Sequence, residues 1–416
     1  MKSARPYVPM PGVRPAPTPA FPQDRRRQLL VWWREIDRGL LALVLLLMVA
    51  GTIAVYAASP ASAGRLSTSE TALGEHHFFW LHLRWQALGL MVLFATALLP
   101  LDRARRGAIL LGALMLALLV LVPLIGVERN GATRWLNLGL TFQPSEFLKP
   151  AYAVVLAWIL SWKLRDPSLP VIGVTGALLG LIVMLLMLQP NLGEAILFVA
   201  CWFVLVLLAG LPIRNITIFV GIAFAALALA YAFYDNARNR INAFLGGGTA
   251  YDQVDLAKRT LLGGGWTGTG LGLGNQKMRL PEAHTDYIFS VIGEEFGLLI
   301  CAALALLYLA IVLRVLVRLV EEDRLFIILA ATGLIALFGG QAFINILMNL
   351  QLFPSKGMTL PLVSYGGSST IAQCFTIGLL LAITRRNPFL SREAFDFGAA
   401  LDTELGRESA PKERTR

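Results

Sequence analysis

Charge is what this chain has least of. Only 15% of its 416 residues are Asp, Glu, Lys or Arg, against about 25% in soluble domains. Hydrophobic residues make up 56% of the chain, and mean hydropathy is +0.65. A soluble multidomain protein is excluded, and a polytopic membrane protein is expected. No polar stretch is large enough for a nucleic-acid reader domain, so nucleic acid is excluded as a partner despite a net charge of +10. Cysteine is equally scarce. Cys201, Cys301 and Cys374 are odd in number, lie in apolar runs and lack ligand spacing. They imply neither a disulfide framework nor a metal site. Of the four histidines, His76, His77 and His82 flank one apolar run without an acidic partner pattern. No Ser–His–Asp set can be assembled, so no serine nucleophile is expected.

What the chain does have is apolar runs of spanning length, about 20 residues each. Ten lie near 37–56, 79–99, 108–127, 147–162, 171–188, 192–211, 213–234, 287–313, 325–347 and 363–384. The fold expected is an all-α polytopic membrane protein of about ten transmembrane helices. Residues 1–36 hold Pro6, Pro9, Pro11, Pro15, Pro17, Pro19 and Pro22, then Arg25, Arg26 and Arg27. They read as a disordered tail rather than a signal peptide. Residues 37–386 form the membrane domain and 387–416 a second tail. Arg103, Arg105, Lys163, Arg214, Arg314, Arg318, Arg385 and Arg386 all follow even-numbered runs. The positive-inside rule then puts both termini in the cytoplasm of a multi-pass protein.

The same rule makes 235–286 a large extracytoplasmic loop before the eighth span. Yet this loop carries Arg238, Arg240, Lys258, Arg259, Lys277 and Arg279. Two readings stand side by side: an anionic ligand outside the membrane, or pairing with Asp235, Asp252, Asp255 and Glu282 or with lipid phosphates. The glycine-rich stretch 263–274 lacks the Lys-Ser/Thr of a nucleotide loop. Its glycines are expected to permit irregular backbone in a mobile loop.

Asp286 is the strongest candidate for chemistry. It sits where this loop meets an apolar helix, and ionisable groups at the edge of a span are costly and usually functional. A helix-capping acid is the plainer alternative, with the helix dipole stabilising a carboxylate in the first turn. Glu294 and Glu295 follow in the same run, Glu294 near the face of Asp286. Glu146 and Lys149, spaced i, i+3, can pair on one helix. Arg134 beside Trp135 reads either as a phosphate contact or as a belt residue with a snorkelling Arg. His284 suits a structural or headgroup contact. Gln341, Asn345 and Asn349 recur every four residues as a stripe, more readily interhelical glue than cavity lining. Residues 364–369, among them Ser368, form a Ser/Gly turn that could present N–H groups to an anion.

These motifs resemble one family. Residues 130–135, Gln143-Pro144-Ser145-Glu146 with Lys149, 189–193, 280–289 and 360–369 match, in order and approximate spacing, the SEDS membrane glycosyltransferases of shape, elongation, division and sporulation. The wording of 281–286 and 354–361 is closer to the division branch than to the elongation branch. The resemblance implies about ten helices and polymerisation of lipid II into glycan strands at the outer face of the bacterial cytoplasmic membrane. It implies Asp286 as catalytic base, and Arg134, Trp135, Glu146 and Lys149 as lining or supporting a central cavity. Lys277, Arg279, His284 and Ser368 join the expected substrate contacts. A class B penicillin-binding protein transpeptidase and other divisome membrane proteins are the implied partners. A divalent cation, Mg or Mn, could assist the leaving pyrophosphate. One position departs: Asn191 stands where the family often has Asp, so a charged role there would have to pass to Glu194. A lipid-precursor flippase and a non-catalytic division scaffold are the competing readings.

Overall fold

The computed structural model describes residues 25–67, 72–129, 132–137, 139, 141–164, 166–210, 251–354 and 357–385, with isolated positions between 211 and 250. Among the described residues are eleven α-helices. They are α1 (Arg25–Glu35), α2 (Arg38–Leu66), α3 (His77–Ala97), α4 (Leu101–Ile125), α5 (Pro144–Ser161) and α6 (Val171–Leu188). Then come α7 (Leu192–Leu208), α8 (Tyr251–Gly263), α9 (Ile288–Leu319), α10 (Leu325–Asn349) and α11 (Gly367–Ile383). Seven are long and apolar enough to cross a membrane: α2, α3, α4, α5 with its 3-10 extension, α6, α9 and α10. α7 and α11 are apolar but shorter. The seventh expected span, 213–234, and the loop as far as 250 lie largely outside the described residues. Residues 37–385 make one compact unit, and α1 is not part of it.

Two helices form the centre of the large unit. α5 packs against α4, α6, α7, α10 and α11, and its residues from Pro144 to Leu160 are almost all buried. α10 packs against α5, α7, α9 and α11. Because their surroundings are protein rather than lipid, these helices can carry polar side chains at little cost. The α3–α11 seam shows how close the helices come. A methyl group on Gly378 would lie 2.7 Å from the Leu93 carbonyl oxygen, so the small residue sets the approach. Between α4 and α5 a three-stranded antiparallel sheet folds over, with β1 (Val127–Arg129), β2 (Ala132–Asn137) and β3 (Thr141–Phe142) in sequence order.

α9 departs from expectation. It is two helices broken at Gly297, whose φ of 84° and ψ of 170° leave the helical region. The 263–274 stretch fills the break. Thr269 and Gly270 N–H groups donate to the Glu294 and Glu295 carbonyls at 2.9 and 3.0 Å. Leu298 and Leu299 N–H groups, which a continuous helix would pair with those same carbonyls, donate instead to Gly265 O and Trp266 O at 3.0 and 3.3 Å. The loop and the helix have exchanged backbone partners, which satisfies the orphaned groups of a broken helix. The glycines are therefore not marks of a mobile loop. A methyl group on Gly264 would fall 2.1 Å from Gly293 O, and one on Gly268 2.2 Å from Glu295 O.

Gly297→Ala should consequently be disruptive. It places a side chain at positive φ and 2.3 Å from Trp266 O, and the conformational term alone is roughly 1–3 kcal/mol. A drop in apparent melting temperature of the detergent-solubilised protein checks this; an unchanged midpoint would refute the exchange as drawn.

Candidate active site

Asp286 sits two residues before the first residue of α9, not in its first turn, with Tyr287 at the cap position. Asp286 therefore lies outside the first turn, where the helix dipole acts on a carboxylate. Its position is held through the main chain. Its carbonyl accepts from Asn345 Nδ2 at 2.9 Å and Asn349 Nδ2 at 3.2 Å. Asn345 Nδ2 also donates to Met358 O at 2.7 Å, and Asn349 Oδ1 accepts from Ser290 Oγ at 2.7 Å. The polar stripe of α10 thus ties the loop before α9 to the 357–360 segment. Ser364 Oγ donates to Thr285 O at 2.6 Å, and Tyr365 N–H donates to His284 O at 2.8 Å. The half-buried Asp286 carboxylate is left at the rim of this clasp.

His284 is the inner anchor. It is buried, hydrogen-bonded through Nδ1 to Ser62 Oγ at 2.7 Å, and lies 4.3 Å from the Phe78 ring and 5.2 Å from the Tyr365 ring between centroids. Burial pushes its pKa from 6.5 down to about 4, with Glu282 opposing the shift. As pH falls from 6.5 towards 4, the unfolded chain takes up a proton that the folded chain refuses. Stability is then lost by up to roughly 3 kcal/mol. His284→Gln should flatten the decline in apparent melting temperature over that pH range; an identical slope in the variant would exclude His284 as its source.

Arg134 reaches the site from β2. Its Nε donates to Gln189 O at 3.3 Å, and Nη2 donates to Pro190 O. Its Nη1 is directed elsewhere. A methyl group built on Gly357 would lie 3.6 Å from Arg134 Nη1 and 3.3 Å from Asp286 Oδ2. Residues far apart in the chain, on a strand and at a helix entrance, therefore converge on one backbone position. Trp135 is half-buried, and since successive strand residues point to opposite faces, it does not share the face of Arg134.

Beneath this pair lies a buried polar chain. Lys149 Nζ is 2.9 Å from Glu146 Oε2 and 3.6 Å from Glu194 Oε1, and it donates to Gln341 Oε1 at 2.7 Å. Asn191 Nδ2 donates to Glu194 Oε2 at 2.8 Å. Gln341 Nε2 donates to Thr359 O at 3.0 Å, and Thr359 Oγ1 bonds Ser369 Oγ at 2.8 Å. The i, i+3 pairing of Glu146 and Lys149 is present, and Glu194 supplies the second carboxylate that Asn191 lacks. The links to α11 are made by Ser369 and by Gln373, whose Nε2 donates to Gln341 Oε1 at 3.1 Å, rather than by Ser368.

The expected contacts Lys277 and Arg279, and the acid Glu294, lie away from the Asp286 carboxylate's partners. Lys277 is buried, donates to Glu295 and to Ala57 O at 2.9 Å, and so serves the loop rather than a ligand. Glu294 does not share the face of Asp286 in use: its carboxylate accepts from the Gln276 and Lys277 N–H groups at 2.6 and 2.8 Å. Arg279 is exposed, and its carbonyl accepts from Arg65 Nη1 at 2.9 Å. Among the described residues, no group of three or more His, Cys, Asp or Glu could hold a metal.

The comparisons fit this geometry. The FtsW/RodA/SpoVE family model, described as a cell cycle protein, matches residues 37–388. This chain is a SEDS protein. A probable peptidoglycan glycosyltransferase FtsW of Caulobacter vibrioides is 35% identical over 383 residues, 92% of this chain and 97% of the relative. One of Halorhodospira halophila with the same description is 36% identical over 367 residues, 84% of this chain and 90% of the relative. Among solved structures, a chain of a peptidoglycan synthase complex that coordinates polymerization and crosslinking superposes with a TM-score of 0.66 at 29% identity. It covers 84% of this chain and 97% of that one. The rod shape determining protein RodA of Thermus thermophilus gives 0.62 at 29% identity, covering 85% and 97%. Of the motifs quoted from the sequence, those holding Arg134 and Asp286 meet at Gly357, while those holding Glu146, Lys149 and Asn191 join in the buried polar chain with Glu194. The α10 stripe acts as the glue its four-residue spacing suggests, and what it joins includes the main chain of Asp286.

Proposed function

We propose that this SEDS protein is a peptidoglycan glycosyltransferase that polymerises lipid II at the outer face of the cytoplasmic membrane during septal wall synthesis, with both termini cytoplasmic. The observation that carries the reading is the meeting of the Asp286 carboxylate and the Arg134 guanidinium at Gly357, within a membrane unit whose relatives bear that activity in their names.

The transfer is a single inverting displacement. A sugar hydroxyl of one lipid-linked disaccharide attacks the anomeric carbon of another, and its proton passes to Asp286 Oδ2. The bond from that carbon to the pyrophosphate oxygen breaks, and the lipid pyrophosphate leaves with the electron pair. Arg134 Nη1 supplies a charge-assisted donor where that negative charge develops. The Lys149 network keeps α5, α7, α10 and the 357–360 segment in register beneath the reacting groups. A Mg or Mn ion, if bound, would be held by Asp286 on the protein side and would supply a Lewis acid for the leaving pyrophosphate. The single carboxylate beside Arg134 among the described residues does not make a protein-only metal site. A class B penicillin-binding protein is the proposed partner, as crosslinking accompanies polymerization in the related complex, alongside other divisome membrane proteins.

The test is polymerisation of purified lipid II by the purified chain with its transpeptidase, read as glycan length on a gel. Translocation of the lipid across vesicle membranes without any polymer would replace this reading with the flippase.

A further inference from the structure

The glycine-rich loop between α8 and the 3-10 turn Gln276–Arg279 shows an odd combination. Its backbone is fastened to protein, while its large side chains point away. Trp266 is 70% exposed and Leu273 68% exposed, with Leu262 and Leu271 also exposed. No residue from 260 to 276 is charged, whereas Lys258 and Arg259 precede the stretch and Lys277 and Arg279 follow it.

We infer that this loop is immersed in the lipid leaflet on the Asp286 side, where Trp266, Leu271 and Leu273 contact acyl chains and headgroup boundary. Three observations support one occupant, a lipid surface. The first is depth. Residues 298–319, after the α9 break, are roughly 33 Å long at helical rise, enough by themselves to cross a hydrocarbon core of about 30 Å. The break at Gly297 then falls at the membrane boundary, where aromatic belts occur, and Trp266 is hydrogen-bonded to Leu299 at that level. The second is continuity. Leu299 and Ile300, the first exposed apolar residues after the break, begin the exposed face that runs on through Leu306 and Leu309. The loop joins α9 at the start of that face, through the Leu299 N–H to Trp266 O bond.

The third is backbone satisfaction. Irregular backbone survives at membrane depth only when its polar groups are bonded internally. The N–H groups of Gly265, Gly268, Thr269, Gly270 and Leu273 all donate to main-chain carbonyls, and those of Gly272 and Gly274 donate to the Glu295 carboxylate. Glu295 is itself neutralised by Lys277. Of the flanking cations, Lys277 is paired with Glu295 and Arg259 with Asp255 at 2.7 Å, while Lys258 and Arg279 are exposed at the two ends of the uncharged stretch, where a snorkelling side chain reaches the headgroups. Internal pairing and the lipid boundary together account for these basic residues without a soluble anionic ligand.

The experiment uses the full chain in lipid nanodiscs. Leu273→Cys, or Leu271→Cys should the first not fold, is labelled with an environment-sensitive fluorophore; the three native cysteines are buried. Glu321→Cys, exposed after α9, is the aqueous control. Quenching by spin-labelled lipid should be about threefold or more stronger at 273 than at 321, with the order reversed for aqueous iodide. A label-free arm compares quenching by brominated lipid in the native chain and in Trp266→Phe, which should lose part of the quenched emission. Equal iodide quenching at both positions with no response to lipid quenchers would overturn the inference. So would shielding that appears only when a transpeptidase partner is added, which would make this face a protein-docking surface.

Discussion

With Asp286→Asn, lipid II polymerisation should fall by about 10²–10⁴-fold, the range associated with loss of a positioned general base. The substitution is nearly isosteric. The main-chain carbonyl of Asp286, which carries the bonds from Asn345 and Asn349, is untouched, so the clasp should survive. The variant should elute and melt like the parent while making no polymer, which separates loss of chemistry from loss of fold. Asn345→Ala provides the contrast. It leaves the carboxylate intact but removes donors to Asp286 O and Met358 O, so it should lower turnover partially and loosen the fold as well. Full polymer yield from Asp286→Asn would end the base assignment; a variant that unfolds would instead show that the carboxylate holds the loop.

The second large effect is expected at Lys149. Its side chain is 3% exposed and stands between two carboxylates that are themselves buried. Lys149→Met keeps the apolar length but leaves Glu146 and Glu194 without their cation. Breaking a buried ion pair by removing one partner costs about 3–5 kcal/mol. The loss should exceed that for Glu194→Gln, which leaves Lys149 paired to Glu146. The double variant Lys149→Met with Glu194→Gln should recover part of the stability, because one of the two uncompensated charges is gone. Thermal melting of the four proteins in one detergent decides the matter. Additive losses in the double variant would mean that the residues do not act as a unit.

Much of this organisation could be read from the sequence, and the reasons are physical. Spans are legible because a lipid-crossing helix must be apolar for its whole length, and nine of the ten expected runs coincide with described helices. The Glu146–Lys149 pair was legible from helical spacing alone. The α9 break was not: Gly297 lies in an apolar run that reads as uninterrupted, and the partner that makes the break tolerable is a segment some thirty residues earlier. Lys277 failed for a related reason. A lysine in a polar loop looks like a ligand contact until the fold shows Glu295 buried opposite it. The role of Asn191 became clear only through Glu194, whose carboxylate it steadies with an N–H; an Asp there would have put two carboxylates in contact.

The exchange of backbone partners at Gly297 also dictates an order of assembly. The loop leaves the ribosome before the helix it completes, so its amides are first hydrated. The helix cannot rest in its final form in the bilayer while the Glu294 and Glu295 carbonyls lack those amides. Residues 298–319 are long enough to insert first, and docking of the loop then completes the broken helix at the boundary. A tag inserted between residues 265 and 270 would therefore part the loop amides from the Glu294 and Glu295 carbonyls and leave the break unsatisfied.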